Sequence, residues 1–243
     1  MYNKVLMDKL SKMPNTNNPV KKTYGFYHIA LMGHWENIVS RQIEVVTNSE
    51  TYSQTDKIYV TILGPLNIEI NLPEKFEVFH RSENLKEFEF PTLQKLHHIA
   101  STENCYVYYF HTHGVSHQII DESYINHYLK LLNDTLSKPN ATKILLSEYD
   151  LYCMQVYSWY NNDGIVGQCI TANWWWSTSD YISKLPPISY ILQQCRWHSE
   201  TWVRGMDKGF GKIKIYYEEG TLDEEHHSLI EYHKLGIKNA RGE

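Results

Sequence analysis

The stretch Asn104-Cys105-Tyr106-Val107-Tyr108-Tyr109-Phe110 decides the fold, and His111-Thr112-His113-Gly114 follows it directly. The run carries no charge and is rich in aromatic side chains, which favour strands. Because it is apolar at successive positions, it predicts a strand buried on both faces, as in the middle of a parallel sheet. The histidine-containing segment then follows the carboxyl end of a central strand.

Upstream of this stretch, short apolar runs alternate with amphipathic segments. Residues 24–31 predict a buried strand, residues 36–49 a helix, and residues 57–63 a second strand. This is the order of a βαβ unit, whose two strands are parallel and whose crossover is right-handed. Residues 76–80 predict a further strand, and residues 91–100 a helix with proline in its first turn.

Downstream, the same alternation continues. We expect helices over 121–136, 180–185 and 193–204, strands over 151–157 and 212–217, and a charged helix over 222–234. Alternation of this kind predicts an α/β fold, Rossmann-like, with a mixed and mostly parallel central sheet flanked by helices.

The length of 243 residues fits one domain with short appendages. We expect a polar arm with a short helix over residues 1–22, the α/β domain over residues 23–220, and a charged helical tail over residues 221–243.

Charge and composition exclude several classes of protein. The net charge of −5 disfavours binding to a nucleic-acid backbone, which needs a basic face. No run reaches the roughly 18 apolar residues of a membrane span, and residues 1–22 lack the apolar core of a signal peptide. The 4 cysteines are widely spaced, without a Cys-x-x-Cys pair, which predicts reduced thiols. We therefore expect a cytoplasmic protein.

Ligands of such sheets bind beyond the carboxyl ends of the strands. The loops after Leu31, Leu63, Phe110 and Tyr157 are the places to look for a site. A Gly-x-Gly-x-x-Gly pattern is missing after the first strand, which disfavours a dinucleotide cofactor, and the Gly-Lys-Ser/Thr of a P-loop is missing from the chain.

The first candidate site is His111-Thr112-His113-Gly114. A loop at this edge can present imidazoles and backbone N–H groups to an anion. Both histidines could bind one metal ion only with a turn between them, which Gly114 could help to form. The alternative is one buried structural histidine and one on the surface.

The second candidate is the run Asn173-Trp174-Trp175-Trp176. Neighbouring strand residues face opposite sides of a sheet, so we expect at least one of these indoles to line a groove and to stack on a sugar. Asn173 could bind sugar hydroxyls. The alternative is an apolar cluster that seals the sheet against a helix.

The third candidate is the pair Arg196 and Glu200, which are four residues apart and share one face of a predicted helix. Glu200 could be a general base held beside a cation. The spacing by itself favours an ordinary surface ion pair. Glu148-Tyr149-Asp150 looks like an acidic metal motif, but it precedes a strand, so we interpret it as a solvated cap.

Taken together, these segments resemble a known family, over residues 24–205 and in the same order. The segments that carry the resemblance are Tyr27-His28-Ile29, Trp35-Glu36, His111 to Ser116, Thr171 to Trp176, Ser179 to Ile182, Leu185-Pro186 and Arg196 to Trp202. The family is the GT-A-fold glycosyltransferases related to the virus-encoded enzyme that helps to glycosylate the chlorella-virus major capsid protein.

The resemblance implies transfer of a sugar from a nucleotide-diphosphate sugar, which we expect to be UDP-linked, to a glycan or glycoprotein acceptor. It places the base near Ala30, Leu31 and Met32, and the diphosphate near His111, Thr112, His113 and Gly114. For a viral enzyme it implies the cytoplasm of a host cell. If the transfer inverts the anomeric centre, it makes Glu200 the catalytic base, and it places Asn173, Trp175, Trp176 and Arg196 on the sugar and acceptor side.

The chain departs from this family at four points. His111-Thr112-His113 stands where GT-A enzymes usually carry the Asp-x-Asp that holds Mn²⁺, and His113 replaces a lysine. Either His113 binds Mn²⁺ through a neutral imidazole, or the enzyme acts without metal. Cys169 replaces a histidine and Ala172 a glycine, which leaves the sugar and the acceptor open.

Two other functions compete with the transferase. One is a catalytically inactive paralogue that binds a carbohydrate or nucleotide on the same scaffold. The other is a metal-dependent hydrolase, but its His-x-His has no second cluster of ligands at useful spacing.

Overall fold

The computed structural model describes residues 21–116, 121–154, 156–161, 164–188, 199, 202–203 and 215–217. Its strands are β1 (Lys22–Ala30), β2 (Lys57–Leu63), β3 (Phe76–Ser82), β4 (Cys105–His111), β5 (Leu151–Cys153), β6 (Val156–Asn161), β7 (Gly164–Ile170), β8 (Trp175–Thr178) and β9 (Ile215–Tyr217). Its helices are α1 (Trp35–Asn48), α2 (Glu50–Ser53), α3 (Phe90–Thr102), α4 (Glu122–Leu136), α5 (Pro139–Leu145) and α6 (Ser179–Ile182), with 3-10 turns at Leu85–Glu87 and Thr171–Asn173.

Seven strands form one mixed sheet in the order β3-β2-β1-β4-β8-β5-β9. Strands β1 to β4 are parallel, β8 runs antiparallel to both β4 and β5, and β9 is parallel to β5. Strands β6 and β7 form a separate antiparallel pair. The predicted fold class, a Rossmann-like α/β protein with a mostly parallel central sheet, is confirmed.

The central strands β1, β2 and β4 are buried on both faces, and their alternate residues enter opposite cores. On one face, Phe26 and Tyr109 pack with Leu96 of α3. On the other face, Tyr27 and Phe110 lie in one cluster with residues of α1 and α4. This explains the continuous apolar run in β4, since a strand covered on both sides has no solvent face to carry polar residues.

Most predicted elements lie close to their observed bounds. The strand predicted over 57–63 matches β2, and the first strand begins two residues earlier than expected, at Lys22. The strand predicted over 151–157 is wrong, because β5 ends at Cys153 and the separate strand β6 starts at Val156. Apolar periodicity continues through this junction, so the sequence pattern does not reveal where the chain leaves the main sheet.

Several predicted segments lie outside the described residues. These are the arm up to residue 20, most of the helix over 193–204, and the tail over 221–243. The domain boundaries at 22 and 220 therefore stay predictions. In the part of the chain that is described, Cys105 and Cys153 are buried and form no disulfide, as expected.

No helix within the described residues is both long enough and apolar enough to cross a bilayer.

Candidate functional site

The two segments predicted to hold the donor lie side by side. In the register of β1 and β4, His28 is opposite His111. The backbone N–H of Ala30 donates to Thr112 Oγ1 at 3.0 Å, and the N–H of Thr112 donates to the His28 carbonyl at 3.0 Å. The predicted base segment and the predicted diphosphate segment are thus joined at the carboxyl edge of the sheet.

The loops that follow β1 and β4 are also in close contact beyond the ends of these strands, at Gly33 and Val115. Gly33 has a φ of +50°, and a Cβ at this position would lie 2.3 Å from the Val115 carbonyl oxygen. Only glycine combines this conformation with so close an approach. Met32 beside it is 36% exposed, whereas Leu31 is buried. The contact therefore fixes the distance between the two loops and leaves Met32 accessible.

The backbone carbonyl of His111 is the centre of a local hydrogen-bond network. It accepts from Gln42 Nε2 at 3.0 Å, from Trp174 Nε1 at 3.2 Å, and from the backbone N–H of His113 at 2.8 Å. Gln42 is itself held by the Tyr27 hydroxyl, which donates to its Oε1 at 2.8 Å. Side chains from β1, α1 and the start of β8 thus set the backbone where β4 ends.

The bond from His113 to His111 closes a tight turn around Thr112. The two imidazole rings lie 5.7 Å apart between centroids, at an interplanar angle of 26°. The turn that a shared role for the two histidines requires is therefore present, although it is closed one residue before the position expected from Gly114.

Aromatic side chains surround the His113 ring. The Tyr128 ring centroid lies 4.3 Å from that of His113, and Trp174 meets it edge-on at 6.4 Å. The Tyr124 hydroxyl is 3.2 Å from His113 Nε2. Within the described ranges, no three His, Cys, Asp or Glu residues are placed to hold a metal ion together. These surroundings do not fit a carboxylate-type Mn²⁺ site, and the Mn²⁺ dependence stays a prediction.

A buried charged cluster lies beside these loops, on the α3 face of the sheet. Glu89, at the start of α3, accepts a hydrogen bond of 2.7 Å from Ser199 Oγ. His28 is 4% exposed, and its Nδ1 lies 3.2 Å from Thr92 Oγ1. Burial lowers the pKa of His28 to about 4, and the nearby Glu89 opposes this only in part. His28 is therefore neutral at neutral pH.

The Glu89 carboxylate is ionised although it is buried. Burial by itself would raise its pKa, but interactions with His111 and His28 and the hydrogen bond from Ser199 outweigh burial and lower the pKa below its ordinary value. Sequence patterns did not reveal Glu89 or His28 as site residues, because nothing near them signals burial of a carboxylate.

Asn173 lies at the same edge, in a strained turn. Ala172 and Asn173 have φ values of 55° and 51°, which L-residues other than Asn and Asp rarely adopt. Asn173 is 2% exposed, and its Oδ1 accepts from Trp175 Nε1 at 3.1 Å. Its Nδ2 has no hydrogen-bond partner in the described part of the chain. The prediction places this residue on the sugar side, and in the structure it directly precedes Trp174, whose indole donates to the His111 carbonyl.

The expectation that one of the three indoles is exposed in a groove is wrong, although Trp174 lines a small cavity of about 10 Å³ beside His113. Trp174 is 2% exposed, and Trp175 and Trp176 are both fully buried. Neighbouring residues of β8 do face opposite sides, but both sides are covered: Trp175 stacks on Tyr109 at 5.4 Å and Trp176 packs on Tyr108 at 4.9 Å. In this structure Trp175 and Trp176 therefore form core and offer no surface to a sugar.

The pair Arg196 and Glu200 lies outside the described residues, so its geometry is untested. The described neighbours of this pair are anchored to the rest of the fold. Besides the bond from Ser199 to Glu89, Trp202 Nε1 donates to the Pro186 carbonyl at 3.0 Å. Asp150 starts the strand β5 at the amino edge of the sheet, which agrees with its interpretation as a cap rather than a ligand.

An open groove of about 560 Å³ runs between β3 and α3. Its lining includes Phe79, His80, Lys95 and His98, and it contains none of the predicted site residues. The polar groups that converge at the ends of β1 and β4 define the candidate site better than this groove, because they are buried and connected.

Comparison of the chain with protein-family models and with curated proteins gives no match. Among solved structures, one similar chain is the 4-diphosphocytidyl-2C-methyl-D-erythritol synthase from Anaerococcus prevotii. The likeness has a TM-score of 0.43 at 10% sequence identity, and covers 88% of this chain and 96% of that one.

Proposed function

We propose that this protein is a glycosyltransferase that uses a nucleotide-diphosphate sugar, with UDP as its nucleotide. One observation carries the proposal. The two segments that the family resemblance assigns to the base and to the diphosphate are hydrogen-bonded to each other through Ala30 and Thr112, at the edge where such sheets bind ligands.

The surroundings of this edge suit an anionic ligand. The helix α1 starts here, and its N-cap residue His34 makes no side-chain capping hydrogen bond. The first backbone N–H groups of a helix attract anions. We propose that these groups and the imidazoles of His111 and His113 hold the diphosphate, with Met32 against the base.

The proposed reaction is a displacement at the anomeric carbon of the donor sugar. The acceptor hydroxyl oxygen forms the new bond, the bond from the anomeric carbon to the phosphate oxygen breaks, and the nucleoside diphosphate leaves with that electron pair. For an inverting transfer, the hydroxyl proton passes to the carboxylate of Glu200, with Arg196 beside it. General base catalysis of this kind is worth roughly two to four orders of magnitude in rate.

A thermal-shift panel of UDP, GDP, CMP and dTDP, each with and without Mn²⁺, tests the donor site. A ligand at about 100 times its dissociation constant adds roughly 2.7 kcal/mol of stability, which is readily measured. We expect a shift with UDP that is lost in His113→Ala and kept in His98→Ala, a histidine exposed on α3. Absence of a shift with every nucleotide would refute the proposal.

Release of UDP from UDP-sugars, with and without added glycans, separates transfer from simple binding. Turnover that falls by at least about a hundredfold in Glu200→Gln, with UDP affinity kept, supports the proposed base. Nucleotide binding without turnover on any donor favours the inactive paralogue. The absence of an Asp-x-Asp at His111 to His113 also favours that alternative. A shift that requires Mn²⁺ would assign a metal to the site.

A further inference from the structure

The amide of Asn173 can face its surroundings in only one orientation. The indole Nε1–H of Trp175 can only donate, so the Asn173 atom 3.1 Å away from it must be the oxygen. The Nδ2 group therefore points away from Trp175. It is buried, and no hydrogen-bond acceptor in the described residues meets it.

Two features of this turn cost stability. One is a buried donor without an acceptor. The other is the left-handed conformation of Ala172, a residue with a Cβ, which has a φ of 55°. Strain of this kind is retained where the surrounding structure imposes it, and it concentrates at ligand sites.

Asn173 lies close in the chain to residues that contact the end of β4. Trp175 pairs with Tyr109 in the antiparallel register of β8 and β4. Asn173 ends the 3-10 turn Thr171–Asn173, two residues before Trp175. Trp174, between Asn173 and β8, donates to the His111 carbonyl and so ties the turn to the proposed diphosphate loop.

We propose that Asn173 is a specificity-determining residue of this site, whose Nδ2 group donates a hydrogen bond to an oxygen of the bound nucleotide-diphosphate sugar. This inference rests on the proposed function. Because Trp175 occupies the amide oxygen, the residue accepts a ligand oxygen and rejects a ligand N–H at this point. The oxygen belongs either to the diphosphate or to a sugar hydroxyl.

Two substitutions remove the donor by different routes. Asn173→Asp keeps the size and the acceptor for Trp175, and Asn173→Gly keeps the left-handed backbone without strain. We expect both variants to bind UDP-sugars about tenfold to a hundredfold more weakly than the wild type. If UDP alone is weakened equally, the oxygen lies on the diphosphate; if only UDP-sugars are weakened, it lies on the sugar. Ala172→Gly relieves strain without touching the amide and should keep wild-type affinity.

A spectrum of the side-chain amides makes the test independent of the proposed function. The ¹⁵N–¹H signal of Asn173 is identified by its absence from Asn173→Asp. It is then followed during titration with UDP, UDP-glucose, UDP-galactose, pyrophosphate, glucose and galactose. If pyrophosphate, glucose or galactose moves the signal while UDP and both UDP-sugars leave it unchanged, the UDP proposal is refuted and the role of Asn173 is supported. The inference is overturned if no ligand in this set moves the signal, or if UDP-sugars bind both variants as tightly as the wild type.

Discussion

Ser199 Oγ donates a 2.7 Å hydrogen bond to Glu89 Oε2, across 110 residues of sequence. Both residues are buried, at 1% and 8% exposure. Glu89 begins α3, and Ser199 directly precedes the proposed base Glu200. The bond thus ties the late part of the chain to the helix that covers β1 and β4, and it satisfies a buried carboxylate.

Removal of this hydrogen bond should destabilise the protein. In Ser199→Ala the ionised Glu89 carboxylate stays buried with one donor fewer, and we expect a loss of about 1–3 kcal/mol in the free energy of unfolding. Urea denaturation measures it. Ser183→Ala is the matched control, because this exposed hydroxyl makes only a long bond of 3.4 Å to the Asp180 carbonyl. Equal unfolding midpoints for the two variants would contradict the role given to Ser199.

Acid should destabilise the fold through His28. The folded protein holds the pKa of His28 at about 4, whereas the ordinary value is 6.5. Between these values the unfolded chain binds a proton that the folded chain does not, so stability is full above about pH 6.5 and is lost as the pH falls towards 4. The lowered pKa of Glu89 acts in the same direction at still lower pH.

The size of the His28 effect is roughly 3 kcal/mol at most. Urea midpoints measured from pH 7 to pH 4 should fall less steeply in His28→Gln than in the wild type. His98→Gln, which changes an exposed histidine on α3, should keep the wild-type slope. An unchanged slope in His28→Gln would show that other groups cause the acid sensitivity.

Trp176 should matter for stability and not for ligand affinity. It is fully buried, and its Nε1 donates to the Thr135 carbonyl at 3.0 Å. Trp176→Phe leaves that carbonyl without its indole donor, and we expect a loss of roughly 1–3 kcal/mol. We expect the UDP dissociation constant of the folded variant to stay within about twofold of the wild type, because Trp176 offers no surface to a ligand. A twofold change corresponds to under 1 kcal/mol of binding free energy. A selective loss of UDP affinity would contradict this assignment and indicate that Trp176 contacts the ligand.

Gly33→Ala should separate the two donor loops. The new Cβ would need to move away from the Val115 carbonyl oxygen, which lies 2.3 Å from its ideal position. We expect the UDP affinity to fall at least tenfold, which is about 1.4 kcal/mol. Gly25→Ala is a control in the core, where a Cβ would meet the Tyr108 ring at 2.5 Å. It should lower the melting temperature without a selective loss of affinity, and calorimetry with UDP titrations distinguishes the two variants.

Strand periodicity predicted the first half of the fold well because β1, β2 and β4 are uninterrupted apolar runs in a parallel sheet. It failed at β5 and β6, where one apolar run serves two sheets. It also failed to place Trp175 and Trp176, because a single strand does not show whether the second face of its sheet is covered. That cover comes in part from α3 and α4, which are distant from β8 in sequence, and in part from α6, which directly follows β8.

The sequence predicted which chain segments form the candidate site, but it did not predict the buried side chains beside them. The rule that ligands bind at the carboxyl edge of parallel strands indicated the loops after Leu31 and Phe110, and the ends of β1 and β4 do lie together. The buried partners Glu89 and His28 escaped prediction because a polar residue near a helix start or inside a strand is most often exposed or singly satisfied. Burial and ionisation depend on contacts such as that with Ser199, which no local pattern contains.

Strand β8 lies between β4 and β5, yet it follows β5 in the chain. During synthesis on the ribosome, β1 to β4 can pair with one another as soon as they emerge, since their mutual contacts need nothing made later. The strand β5 then emerges with no neighbour to join, because both β8 and β9 are still to be made. Until Thr178 has emerged, β4 presents an open, aromatic edge that invites pairing with another chain. Strands β8 and β5 therefore join β4 only after Thr178 has emerged, and β9 joins later still. We expect the nascent protein to be most prone to aggregate just before β8 closes that edge.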